Sequence, residues 1–149
     1  MTNLEKRDKY AQLMKKLENA TNNEYYYEAL FIEYAIFEER TRAIFKHANV
    51  PYKNKNDMEY SIDKKLRTIK TGKDFQDKYI KKHITEELLD KVINWKDQRN
   101  QLMHNIIKSN YDNEEVKNLA LQGECIAKKM NSKSKLVNDY FDSKLMVHS

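Results

Sequence analysis

Arg99, Asn100 and His104 are the residues of this chain whose types and spacing could do chemistry. A guanidinium stays charged across the working pH range and can hold two phosphate oxygens at once. An imidazole moves protons near neutral pH, and an amide can orient an oxygen through its N–H groups. Together they suit a phosphodiester. At about 100° per helical residue, His104 lies about 140° round from Arg99, with Asn100 between them. Asn100 and His104 are an i, i+4 pair and share one edge of a helix.

The stretch that must position them runs from Thr85 to Ser109, TEELLDKVINWKDQRNQLMHNIIKS. Leu88, Leu89, Val92, Trp95, Leu102, Met103 and Ile106 recur at three- and four-residue steps, which predicts an amphipathic helix. Thr85 suits its N-cap, and Glu86 and Glu87 suit its positive end. Arg99 falls near the centre of the apolar arc, where an unpaired buried charge costs several kcal/mol. It therefore needs a carboxylate partner inside the fold or a cleft to line.

The remaining pattern is helical too. Thr2-x-x-Glu5 predicts a capping box and a first helix to about Asn19. Thr21-x-x-Glu24 predicts a second box, opening a helix that reaches about His47 before Asn49-Val50-Pro51 stops it. Its middle, Leu30 to Phe37, is apolar nearly all round, as expected of a helix buried on several sides or against a second subunit. Glu33 is the anomaly there. It is a candidate partner for Arg99; pairing with Arg40, or pointing outward, fits equally. The run Tyr25-Tyr26-Tyr27 suits core or interface packing better than base stacking.

Met58 to about Thr71 reads as a shorter third helix, ended at Gly72, and residues 73–84 leave their structure open. Lys81-Lys82-His83 forms a small basic patch; Lys81 and Lys82 are candidate contacts to an RNA backbone, a solvated surface being the plainer role. A turn at Asn110-Tyr111-Asp112-Asn113 leads to Asp112-x-x-Glu115, which predicts the cap of a last helix reaching Leu145, with fraying near Ser132-Lys133-Ser134. Within it Gly123 points to a close helix approach.

Composition agrees. Two glycines, one proline, 40% hydrophobic and 34% charged residues indicate helices throughout, and 149 residues suit a single domain, 1–149, with a proper core. The expected fold is all-α, an antiparallel bundle of four long helices plus one or two short ones. Lacking an apolar run of 18 residues, the sequence offers no membrane span. The opening MTNLEKRDKY lacks a signal peptide's apolar region, and a lone Cys125 suits a reducing cytoplasm. No Cys/His cluster has metal-ligand spacing and no Gly-rich phosphate loop is present, so neither a metal nor another cofactor is expected. A net charge of +5 favours an anionic partner only weakly.

Arg99-x4-His104, with Asn100 directly after the Arg, in the penultimate helix of a small all-helical chain, resembles the motif of HEPN-domain ribonucleases. That family includes toxins, abortive-infection proteins and CRISPR effector nucleases. The resemblance covers most of the chain as architecture, and at residue level it rests on Arg99, Asn100 and His104. It implies a metal-independent endoribonuclease acting as a homodimer, in which two Arg and two His share one cleft. It further implies that His104 transfers a proton, Arg99 stabilises the phosphorane and Asn100 positions the phosphate, leaving a 2′,3′-cyclic phosphate and a 5′-hydroxyl. An antitoxin or regulatory protein is a candidate partner beside the RNA substrate. One departure weighs against an adenylylating antitoxin: HEPN toxins of that kind often carry Tyr two residues after the His, where this chain has Ile106, with Tyr111 further on. The rival expectations are a non-catalytic helical interaction module, with Arg99 and His104 structural, and a nucleotide-binding domain that does not cut RNA.

Overall fold

Side-chain oxygens at helix starts and left-handed residues at helix ends set the element boundaries in the computed structural model, which describes residues 2–108 and 112–147. Among these residues, six α-helices and one 3-10 turn follow in order: α1 (Asn3–Asn22), α2 (Tyr26–His47), α3 (Ile62–Thr71), the turn Lys73–Phe75, α4 (Lys78–His83), α5 (Glu86–Ile107) and α6 (Asn113–Val147). Among the described residues there is no β-strand, only an isolated bridge between Lys53 and Glu59. The fold is all-helical, with four long helices of 20, 22, 22 and 35 residues. None of them is long and apolar enough to cross a membrane, among the described residues.

Caps that act locally fall where the sequence puts them. Thr2 and Glu5 exchange both bonds of a capping box, Thr85 Oγ1 accepts from Leu88 N at 3.1 Å, and Asp112 Oδ1 accepts from Glu114 N at 3.0 Å. α2 stops as expected. Asn49 adopts the left-handed conformation, φ 57°, so that its N–H reaches Lys46 O and the N–H of Val50 reaches Phe45 O, and Pro51 follows. The same pair of bonds closes α1 around Glu24, φ 61°.

Three boundaries differ from the sequence expectation. The box at Thr21-x-x-Glu24 does not form; α1 instead runs on to Asn22, and Thr21 is buried within it, its hydroxyl against Glu124 Oε2. Residues 58–60 are extended rather than helical, because Ser61 caps α3 and Tyr60 N returns to Tyr52 O at 2.9 Å. α6 is unbroken through Ser132–Ser134, where Ser134 is buried and its hydroxyl bonds Asn131 O. The Asn110-Tyr111 part of the expected turn lies outside the described residues, as does Ser109.

The chain forms two compact units, Met1–Ile36 with Asn94–Lys128 and Phe37–Ile93 with Lys129–Ser149, the divisions falling inside α2, α5 and α6. The first unit is built on Leu17, Leu30, Ile36, Trp95, Ala120 and Ala127, all within 3% of full burial. The second is built on Phe37, Ile44, Phe45, Leu66, Phe75 and Leu89, with the Phe45 and Phe75 rings 5.2 Å apart.

One ionic knot fixes the loop after α2 in the second unit. Glu59 accepts a fork from Arg42, Oε2 to Nη2 at 2.8 Å, and its Oε1 lies 3.1 Å from the ammonium of Lys65, which is fully buried. The Arg42 hydrogen bonds hold the Glu59 carboxyl down at about 2. Its stabilising contribution is therefore complete above the ordinary carboxyl value of 4.5 and lost as pH falls towards 2. Removing it would strand a buried ammonium, a change that costs about 3–5 kcal/mol. Glu59→Ala is expected to lower the thermal midpoint by roughly 10 °C at pH 7, with a smaller deficit near pH 2.5. Equal midpoints at pH 7 would show the knot to be energetically neutral.

Candidate functional site

α5 carries the three motif residues through the last two turns of a helix capped at Thr85 and anchored by Trp95. Trp95 is fully buried, and its indole N–H donates to Leu119 O of α6 at 3.1 Å. One turn on, Arg99 is half-buried, its side chain laid across the aromatic ring of Tyr34, with 4.4 Å between guanidinium carbon and ring centroid. Its Nη1 reaches Asn100 Oδ1 at a long 3.4 Å, and its buried Nε has no hydrogen-bond partner. Asn100 and His104 are exposed, and beside them Gln101 bonds Asn105 at 3.2 Å. The arrangement is a cation braced on a π face, next to an amide and an imidazole open to solvent.

Arg99 thus answers its half-buried place with an aromatic partner rather than a carboxylate. The expected pair with Glu33 is not formed: both Glu33 oxygens lack a hydrogen-bond partner, and Arg40 Nε donates to Asn131 Oδ1 at 2.8 Å. Nor does Glu33 point outward, since it is fully buried. Burial, and then the charge of Glu124, push its carboxyl up to about 10. Burying a charge without a partner is so costly that the group keeps its proton instead. At neutral pH Glu33 is therefore an uncharged acid.

Gly123 makes room for that acid. A Cβ there would stand well inside contact distance of Glu33 Oε1 and 2.5 Å from Trp95 Nε1. The missing methyl lets two side chains in, rather than bringing two helix backbones together. Glu124, the next residue, receives the Thr21 hydroxyl and has Lys128 at 3.8 Å.

Lys81 and Lys82 lie on α4, in the other unit. Lys81 is half-buried, and its ammonium donates to the carbonyl of Lys70 at the end of α3. Lys82 is exposed. His83 beside it is half-buried, its ring edge-on to Tyr79, and burial followed by Lys133 and Lys82 lowers its pKa.

Tyr34 is the neighbour of the candidate site that the sequence did not reveal; its letter sat within the apolar run of α2 and carried no mark of a guanidinium partner. Tyr27, Phe31 and Tyr34 stand at i, i+4 and i+7 on that helix, and Phe31 is 69% exposed. α2 is thus buried on several sides, with this stripe left open. Among the described residues, no three His, Cys, Asp or Glu side chains come together as a metal site would require. No protein-family model, no curated protein and no solved structure matches the chain.

The buried acid has a measurable signature. The unfolded chain releases the Glu33 proton above about 4.5, while the folded chain keeps it to about 10. The stability this confers is complete below 4.5 and falls by about 1.4 kcal/mol per pH unit through that window. Glu33→Gln is expected to remove this slope, so variant and wild type match near pH 4.5 and the variant is the more stable at pH 8; parallel stability curves would refute a proton held at Glu33. Gly123→Ala is expected to lose about 1–3 kcal/mol by overpacking, and Glu33→Ala in the same chain should recover part of the loss.

Proposed function

We propose that the chain is a HEPN-type endoribonuclease, of the toxin or phage-defence kind, that cuts RNA in the cytoplasm as a homodimer. The observation that carries this reading is the solvent-facing constellation on α5: Arg99 braced on Tyr34, with Asn100 and His104 exposed beside it one turn apart. It supplies what cleavage by the RNA's own 2′-hydroxyl needs. The 2′-oxygen attacks the neighbouring phosphorus, its proton passing to an imidazole; the bond to the 5′-oxygen breaks and that oxygen is protonated in turn. The products are a 2′,3′-cyclic phosphate and a 5′-hydroxyl. Arg99 faces the charge that grows on the phosphorane oxygens, and Asn100 holds the phosphate in register. Two motif helices meeting across a twofold axis would supply one His104 as base and the other as acid.

The dimer draws support from apolar surface on the helices that carry the site. Phe31 of α2 is 69% exposed and Ile107 of α5 is 83% exposed, and large apolar side chains left in water in this way favour association. An antitoxin or regulatory protein is the further partner this reading calls for. Glu33, neutral and sealed, stays outside the chemistry.

His104 is exposed, so His104→Ala should change stability by no more than about 0.5 kcal/mol. The same change should slow RNA cleavage by roughly 10²–10⁴-fold, in EDTA as in buffer, with cyclic-phosphate ends on the wild-type products. Arg99→Lys should recover little activity, because a compact ammonium has neither the fork nor the stacking face. Equal cleavage by wild type and His104→Ala would sink the ribonuclease reading and leave an interaction module. Phe31→Glu should convert the dimer to monomer in light scattering and silence cleavage with it; a monomeric wild type at micromolar concentration would overturn the assembly.

A further inference from the structure

Beyond α2, in the second unit, the chain builds an open groove of about 400 Å³ lined by Lys46, Asn49, Val50, Pro51, Tyr52 and Lys53. In its lining the Lys46 ammonium lies 5.4 Å and the Lys53 ammonium 5.7 Å from the centroid of the Tyr52 ring. Lys46 has no carboxylate within ion-pair distance among the described residues, and Lys53 has only Asp57, at 3.5 Å, in a pair exposed on both sides. Such a pair is weak, so Lys53 can exchange it for another anion.

The platform is held firmly. Tyr60 N donates to Tyr52 O at 2.9 Å, Lys53 and Glu59 form a bridge, and Glu59 is tied down by Arg42 and the buried Lys65. Asn54 closes the loop tip, its N–H reaching Met58 O at 2.8 Å and its side chain accepting from Asn56 N and Met58 N. The backbones that carry Tyr52 and Lys53 are thus in place before any ligand arrives, which lowers the entropy the loop must give up on binding.

We propose that this groove binds a nucleotide, its base stacked on Tyr52 against Val50 and Pro51 and its phosphate between Lys46 and Lys53. Aromatic faces accept any base, and flexible ammoniums that rest on the ring in the free protein can turn to a phosphate. A bare phosphate would leave the apolar wall unused, and an apolar ligand would leave both charges unanswered. One effect opposes the site: the C-terminal end of α2 carries roughly half a negative charge. Two ammoniums outweigh that half charge and Asp57 together. The groove volume also falls within the range of small-ligand sites, about 300–1,000 Å³. Free nucleotides and single-stranded RNA both present this chemistry. The site stands whether or not the protein cuts RNA.

Calorimetric titration of the full chain with 5′-AMP, with ribose 5-phosphate, and with a 2′-O-methyl hexanucleotide that 2′-attack cannot cleave would test it. AMP is expected to bind at least roughly tenfold more tightly than ribose 5-phosphate. Tyr52→Leu should weaken AMP by about tenfold while Tyr52→Phe leaves it unchanged, and Lys46→Ala with Lys53→Ala should abolish it with the circular dichroism spectrum preserved. A hexanucleotide binding at least tenfold more tightly than AMP would assign the site to strands; binding no tighter than AMP would assign it to free nucleotides. Equal affinity for AMP and ribose 5-phosphate, AMP binding that survives Tyr52→Leu, or no heat from AMP and none from the hexanucleotide at millimolar concentration would overturn the proposal. His104→Ala should leave AMP affinity untouched, so loss of cleavage and loss of this site are read separately.

Discussion

Within the first unit, one shared space constrains everything near the motif helix: the volume left by the absent side chain of Gly123. Into it go the carboxyl of Glu33 and the indole edge of Trp95, bringing α2, α5 and α6 to one point. Trp95 fixes the roll of α5 through its bond to Leu119 O, and Arg99 follows one turn later on the same side of the helix. Tyr34, adjacent to Glu33 in sequence, receives the guanidinium. A buried neutral acid and a half-exposed cation on neighbouring residues' partners are therefore two results of a single packing arrangement.

Lys65 and Glu33 answer burial in opposite ways. Around Lys65 the charges stay, because Glu59 can reach the ammonium and the Arg42 fork with both oxygens. Around Glu33 no donor is within reach, and the charge is removed by keeping the proton. Coulomb attraction offsets desolvation only where geometry supplies a partner for each oxygen; without one, protonation is the cheaper outcome.

Much of this fold could be read from the letters. The caps at Thr2, Thr85 and Asp112 depend on bonds within three residues, and the stop at Asn49-Val50-Pro51 depends on backbone conformation alone. Periodicity placed Arg99, Asn100 and His104 on α5 for the same reason. What failed depended on distant residues. Thr21 has the letter of a cap, yet Glu124, a hundred positions away, draws it inside α1. Tyr60 and Met58 fit a helical stripe as well as an extended return, and the Tyr52 carbonyl decides between them. Glu33 looked like half of an ion pair because a pattern of letters records charge at its ordinary pKa and carries no account of desolvation. The partner of Arg99 was hidden because Tyr34 counts as apolar in any periodicity.

The turns of this chain are built without left-handed glycine. Glu24, Asn49 and Asp57 hold positive φ, while both glycines sit elsewhere with negative values. A side chain in that conformation costs on the order of 1 kcal/mol, least for Asn and Asp, whose short polar groups can bond locally. Glu24 has no such relief, so the end of α1 holds a reserve of stability that the natural sequence leaves unused. A protein engineer wanting a sturdier scaffold could draw on it at position 24 without touching a core residue or the face that carries the motif.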